Sequence, residues 1–277
     1  MRLFATIITV LFICSHSSVA QTIYTQQDSI RIEEILRTGT SGEQEADICH
    51  IARMFGGVPY TASTLDSTNC ERLIINTRQM DCTTFVETTV ALVLTARTKG
   101  DFTDFCNNLQ RVRYRNAQCS YTERLHYISQ WIDDNEQKGI AREIATAAHT
   151  ATQKLNLNFM STHPQSYRQL KENPSVVNAI AAYETPYRNI EVKYIPKHLL
   201  NGTKERLEIE NGDILAIVTA IEGLDVTHVG FAEWIEGTLH LIHASSGKGK
   251  VIADPLSLYQ YMKNKKNNLG IRVIRIL

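Results

Sequence analysis

The sequence predicts an α+β fold in which a cysteine-bearing helix packs on a C-terminal antiparallel β-sheet. Two observations predict it. Up to about residue 154 the apolar residues recur mostly at helical spacing. From Asp213 onward, short runs rich in β-branched and aromatic residues alternate with Gly-containing turns. Helices gathered first and strands last mark an α+β chain. The 277 residues suffice for one large domain, and no linker-like stretch divides them. Basic and acidic residues balance at 29 each, which gives no footing for nucleic acid or an anionic membrane surface as partner.

Residues 1–20 read as an export signal. Arg2 supplies the positive start, Leu3 to Cys14 an apolar stretch too short for a stable span, and Ser18-Val19-Ala20 the small residues expected before cleavage at Gln21. Leu11-Phe12-Ile13-Cys14 makes a poor lipoprotein site, because a bulky Ile precedes the Cys. No later stretch is apolar for long enough to span a bilayer. The expectation is a periplasmic, monomeric protein whose single domain covers residues 21–277. Cys49, Cys70, Cys82, Cys106 and Cys119 then face an oxidising compartment. With Cys82 set aside as a reactive thiol, the other four allow three pairings or stay reduced. No C-x-x-C and no His pair at ligand spacing occurs, so neither a metal nor another cofactor is expected.

Residues 29–37 read as a helix ending at Gly39, and residues 43–54 as a second. Gly56-Gly57-Val58-Pro59-Tyr60 is a breaker cluster that lands Tyr60 after a fixed turn. Residues 72–76 form a short strand or extended lead-in. Asp81 then caps a helix whose apolar groups recur at 82, 85, 86, 89/90, 93 and 94, a wide buried face. Residues 101–154 read as mostly helical. Residues 155–200 read as irregular, broken by Pro164, Pro174, Pro186 and Pro196. Together, residues from about 100 to 205 form a large, mainly helical insertion wrapping the surface. Strands follow at 213–221, 226–235, 238–244 and 271–277.

Cys82 falls in the first turn of its helix, where the positive end of the dipole and free amides favour thiolate over thiol. Those amides also suit an acyl oxyanion. A cysteine in this setting is more often a small core residue, and two distant histidines decide between the readings. Glu236-Gly237 suggests a two-residue hairpin turn. Ile235 then pairs with Thr238, Gly230 faces His243, and His228 faces Ser245, all on one side of the sheet. His228 and His243 become diagonal neighbours roughly 7 Å apart at the backbone, a gap imidazoles bridge. A thiol with two histidines, one orienting the other, meets the needs of nucleophilic catalysis. His228 is the base and later the acid, and His243 orients it. Arg124, His126, Tyr127 and Trp131 are candidates for a substrate cleft, since sugars stack on aromatic faces and polar groups fix hydroxyls; plain helix packing is the competing account of them. Thr83 and Ser245, flanking the catalytic positions, are further candidates for substrate contacts.

These residues resemble those of the NlpC-type papain-like cell-wall cysteine peptidases. Asp81-Cys82-Thr83-Thr84-Phe85-Val86 resembles the family's Asp-Cys-Ser-Gly-Phe-Val nucleophile helix. Asn211-Gly212-Asp213-Ile214-Leu215 resembles its Pro-Gly-Asp-Leu strand entry. His228-Val229-Gly230-Phe231 and Ile242-His243-Ala244-Ser245 resemble its His strands. Gly57-Val58-Pro59-Tyr60 is similar to the Gly-x-Pro-Tyr element whose Tyr sits near the cysteine. Thr83-Thr84 departs from Ser-Gly. The long insertion, with Arg124-Leu125-His126-Tyr127, resembles the N-acetylmuramoyl-L-alanine amidase-like branch seen in Bacteroides-type bacteria. The resemblance implies a cysteine amidase that cuts the lactyl–L-Ala amide of peptidoglycan fragments, anhydro-muropeptides above all, with Tyr60 assisting the oxyanion. Two rivals stand beside it: a γ-D-glutamyl–diamino acid endopeptidase using the same triad, and a non-catalytic binder of wall fragments.

Overall fold

The computed structural model describes residues 22–39 and 44–277. The export-signal reading of residues 1–20 lies outside the described residues. Five principal helices come first: α1 Gln26–Thr38, α2 Gln44–Met54, α3 Cys82–Arg97, α4 Phe102–Arg113 and α5 Ile128–Gln137. Strands β1 Ala141–Glu143 and β2 Ala151–Asn156 follow, then α6 Phe159–Thr162, α7 Pro174–Glu184, β3 Arg188–Pro196 and α8 Lys204–Leu207. The chain closes with β4 Ile214–Thr219, β5 Val226–Ile235, β6 Thr238–Ser245, β7 Lys250–Ala253, α9 Leu258–Met262 and β8 Asn268–Ile276. The fold is α+β, with one eight-stranded sheet in the order β2-β3-β8-β4-β5-β6-β7, and β1 also pairing with β8. Every strand pairing is antiparallel.

The insertion differs from its reading. Residues 141–143 and 151–156 are strands rather than helix, and the stretch read as irregular contains α7 and β3. Pro174 begins α7 instead of breaking it, because a first-turn residue needs no amide partner. Through β1 and β3, which both pair with β8, the insertion joins the main sheet. No helix among the described residues is long and apolar enough to cross a membrane.

The sheet buries both faces. Ile214, Ala216, Val229, Phe231, Ile242 and Ala244 meet the large helical layer, while Leu215, Ile217, Ala232, Leu239 and Leu241 meet Leu258 and Met262 of α9. Helix α3 is buried almost throughout from Thr84 to Thr95 despite its β-branched content, so packing rather than intrinsic propensity holds it. Phe85 meets Phe231 edge-on at 5.6 Å between ring centroids and fixes α3 on β5. Among the described residues no disulfide joins any of the cysteines.

Candidate active site

Asp81 and Thr84 close a capping box at the start of α3. The Asp81 carboxylate accepts from the Thr84 amide at 2.8 Å, and Thr84 Oγ1 accepts from the Asp81 amide at 3.0 Å. Cys82 is thereby held half-buried at the first helical position. Its thiol is not the acidic one the helix start led us to expect. Burial, reinforced by the Asp81 carboxylate, pushes it up to about 11, outweighing hydrogen bonds from Val229 and Thr83.

The hairpin register is the predicted one, with Ile235 opposite Thr238 and Phe231 opposite Ile242. A side chain on Gly230 would lie 2.8 Å from His243 Cβ and 2.7 Å from the Ile242 carbonyl, so only glycine fits there. His228 Nε2 and His243 Nδ1 lie 2.6 Å apart, the rings nearly perpendicular. His243 Nε2 faces Asp254 Oδ2 at 3.2 Å. Tyr261 of α9 covers both rings, at centroid separations of 6.3 and 5.3 Å. The histidines thus emerge on the α9 face, opposite the face on which most of α3 packs. Between Ile217 and Val218 the β4–β5 register shifts, leaving Thr227 as an extra residue directly before His228. Such bulges bend a strand and re-aim its side chains. At that bulge Cys82 shares a cleft of about 170 Å³ with Thr227, His228 and Val229. Burial, His243 and Lys265 hold His228 down at about 3, so the resting pair is neutral thiol and neutral imidazole rather than thiolate and imidazolium.

Thr83, His126 and Tyr127 line the same cleft, with Ile128, Met160 and Tyr167 beyond them. His126 Nε2 lies 2.8 Å from the Tyr121 carbonyl, and burial with the nearby Arg124 cation lowers its pKa to about 3. The Tyr127 hydroxyl donates to Glu184 at 2.7 Å and accepts from the Met160 amide, so its ring, not its hydroxyl, is what the cleft sees. Tyr60 is half-buried, and its phenol feels the charge that would form on Cys82.

Three expected substrate contacts are not brought there. Arg124 is occupied by Glu71 at 2.6 Å and Asp66 at 3.0 Å. Trp131 lies in the helical core at 2% exposure. Ser245 is buried at the end of β6, its hydroxyl accepting from the Lys248 amide. For Trp131 helical spacing gave the correct element but not the direction of the side chain. Arg124 lies ahead of α5 in a bridge with Tyr114 rather than on a helix, and Ser245 ends β6 one residue beyond the strand read from sequence. Asp254 is the principal residue that sequence reasoning missed; the signal available was an acidic residue shortly after a histidine strand.

A thiol at a helix start, a coupled imidazole pair and a shared cleft thus meet on one α+β core. Residues 50–271 match the AmiA-like family, described as N-acetylmuramoyl-L-alanine amidase-like, and the chain belongs to that family. Among solved structures, an N-acetylmuramoyl-L-alanine amidase from Bacteroides uniformis is 37% identical, with a TM-score of 0.80 over 85% of this chain and 99% of that one. A Bacteroides fragilis protein carrying the name of a candidate xylanase is 44% identical, with a TM-score of 0.76 over 81% of this chain and 98% of its own. A Legionella pneumophila protein, 22% identical with a TM-score of 0.70 over 91% and 95% of the two chains, shares the fold. No curated protein matches.

Proposed function

We propose that the protein is an exported, periplasmic cysteine amidase hydrolysing the N-acetylmuramoyl–L-alanine bond of peptidoglycan fragments, on a papain-like NlpC-type core. The observation that carries the reading is the 2.6 Å contact between His228 and His243 beside a cleft that also holds Cys82. Because His228 Nε2 is engaged by His243, Nδ1 is the nitrogen left for the thiol. Cys82 Sγ attacks the lactyl carbonyl carbon as its proton passes to His228 Nδ1, and the carbonyl π electrons move to oxygen. The neutral resting pair requires this concerted transfer. The Cys82 amide takes no part in the capping box, and with the Tyr60 phenol it stabilises the oxyanion. The tetrahedral intermediate collapses, the C–N bond breaks, and the leaving L-Ala nitrogen takes the proton from His228. Water, activated by the same imidazole, then hydrolyses the thioester.

The cleft has room only for the groups around the scissile bond, so the sugars and the rest of the peptide lie outside it. Since a carbonyl only accepts, His126 Nε2 donates to Tyr121 and its Nδ1 is an acceptor for a substrate N–H or O–H. Thr83 and the Tyr127 ring complete the wall. A glycosidase reading needs two carboxyl groups flanking the bond. The described cleft lining contains one, Asp225, and both its oxygens accept backbone amides, from Ser129 and Val226.

The test is product mass spectrometry on a purified anhydro-muropeptide. Free anhydro-disaccharide together with an intact peptide beginning at L-Ala supports the amidase. A sugar still bearing a dipeptide would favour the endopeptidase that cuts after D-Glu. Absence of any thiol-dependent turnover would leave only the fragment-binding reading.

A further inference from the structure

Asp254 follows β7 and is 3% exposed. Its Oδ1 accepts from the Leu256 amide at 2.9 Å, its own amide donates to the Leu241 carbonyl at 2.8 Å, and its Oδ2 faces His243 Nε2 at 3.2 Å. An ionised carboxylate can only accept, so His243 Nε2 carries the proton of that contact. A neutral His243 then has a bare Nδ1, and the 2.6 Å contact forms only if His228 Nε2 donates into it. A neutral His228 has thereby used its one ring proton, and Nδ1 is bare. The geometry points to Asp254 as a positioning residue that fixes the tautomers of both imidazoles in series and so makes His228 a base toward Cys82. This inference rests on the catalytic reading of Cys82 and His228 above.

The chain of argument runs in one direction. With a donor in place of Oδ2, His243 Nε2 would accept, its Nδ1–H would point at His228 Nε2, and His228 would present an N–H to the thiol. That arrangement cannot remove a proton. The groups facing the rings are Cys82 from α3, Tyr261 from α9, Lys265 just beyond α9 and Asp254 itself. Lys265 Nζ stacks 3.3 Å from the Tyr261 ring centroid. Burial holds both imidazoles below the ordinary histidine range, although Asp254 pulls His243 back upward. Both rings are therefore neutral at pH 7, as the tautomer argument requires.

Asp254→Asn replaces the acceptor with an amide that can donate, and Asp254→Glu keeps an acceptor. The first readout needs no substrate: alkylation of Cys82 by iodoacetamide at pH 7.5, followed on the Cys82 peptide by mass spectrometry. Asp254→Asn should slow it at least about tenfold, to the level of His228→Ala, and Asp254→Glu should recover part of the loss. Imidazole ¹⁵N shifts of the full chain should show Nε2–H on His243 in the wild type and Nδ1–H in Asp254→Asn. Muropeptide turnover should lose about 10²–10⁴-fold in kcat with KM little changed, by analogy with the wrong-tautomer variant of serine proteases. The inference is overturned if Asp254→Asn alkylates like the wild type, if both proteins show the same His243 tautomer, or if lost reactivity only tracks lost folded protein. A wild type with His228-dependent alkylation but no muropeptide hydrolysis would sink the amidase reading and leave this one standing.

Discussion

Glu87 of α3 and Arg113 at the end of α4 form an ion pair at 2.6 Å, with side chains 3% and 1% exposed. Arg113 also donates to the Ile74 carbonyl at 2.8 Å, in the extended segment that leads toward the cysteine. One buried cation thus ties together the helix carrying Cys82, the helix after it and the approach to it.

Removing one partner leaves the other charge buried without compensation. Arg113→Ala should destabilise the fold by about 3–5 kcal/mol, while Glu87→Leu/Arg113→Met together should recover much of that. Urea unfolding of the single and double variants is the check. A double variant whose loss equals the sum of the two single losses would show that the pair is not coupled.

Gly230 is the one glycine the histidine pair requires. A methyl group there would press on His243 Cβ and on the Ile242 carbonyl at distances below 3 Å. Gly230→Ala should therefore cost about 1–3 kcal/mol through overpacking. It should also lower turnover at least about tenfold by moving His243 off His228. Thermal unfolding and turnover measured on the same preparation check it; wild-type activity in the alanine variant would mean the pair tolerates separation.

The buried histidines set a direction for acid sensitivity. His126 and His228 are both held at about 3, chiefly by burial, from an ordinary value of 6.5. Between these limits the unfolded chain binds protons that the folded one does not. Their contribution to stability is therefore complete above pH 6.5, declines as pH falls through the window, and is lost by about pH 3. The slope approaches about 1.4 kcal/mol per pH unit for each histidine. Thermal melts from pH 7 to 4 should fall steadily, and His126→Gln should flatten the decline. An unchanged slope in that variant would contradict the assignment.

The hairpin was legible because a two-residue turn and a side-chain period of two leave one register, and Glu236 and Gly237 take the positive φ values of 49° and 75° that such a turn needs. The Asp81 cap and the start of the cysteine helix were legible for a similarly local reason. The edge strand β2 was not, since its polar sequence carries little apolar alternation; β3 beside it does alternate at Ile190, Val192 and Tyr194, but lies between Pro186 and Pro196 in a stretch read as irregular. Asp254 escaped notice because it follows β7, a four-residue strand bounded by a glycine turn that reads as loop. The neutral state of Cys82 escaped too. It is set by burial against a sheet more than a hundred residues away, while the helix start alone argues for thiolate.

The most direct measurement is the mass of the covalent intermediate on Cys82. Wild-type protein mixed with an anhydro-muropeptide, quenched in acid within one turnover and digested, should yield a Cys82 peptide carrying only the anhydro-disaccharide acyl group. Cys82→Ala should yield none. An adduct that also contains L-Ala and D-Glu, or an adduct on any other residue, would contradict the account.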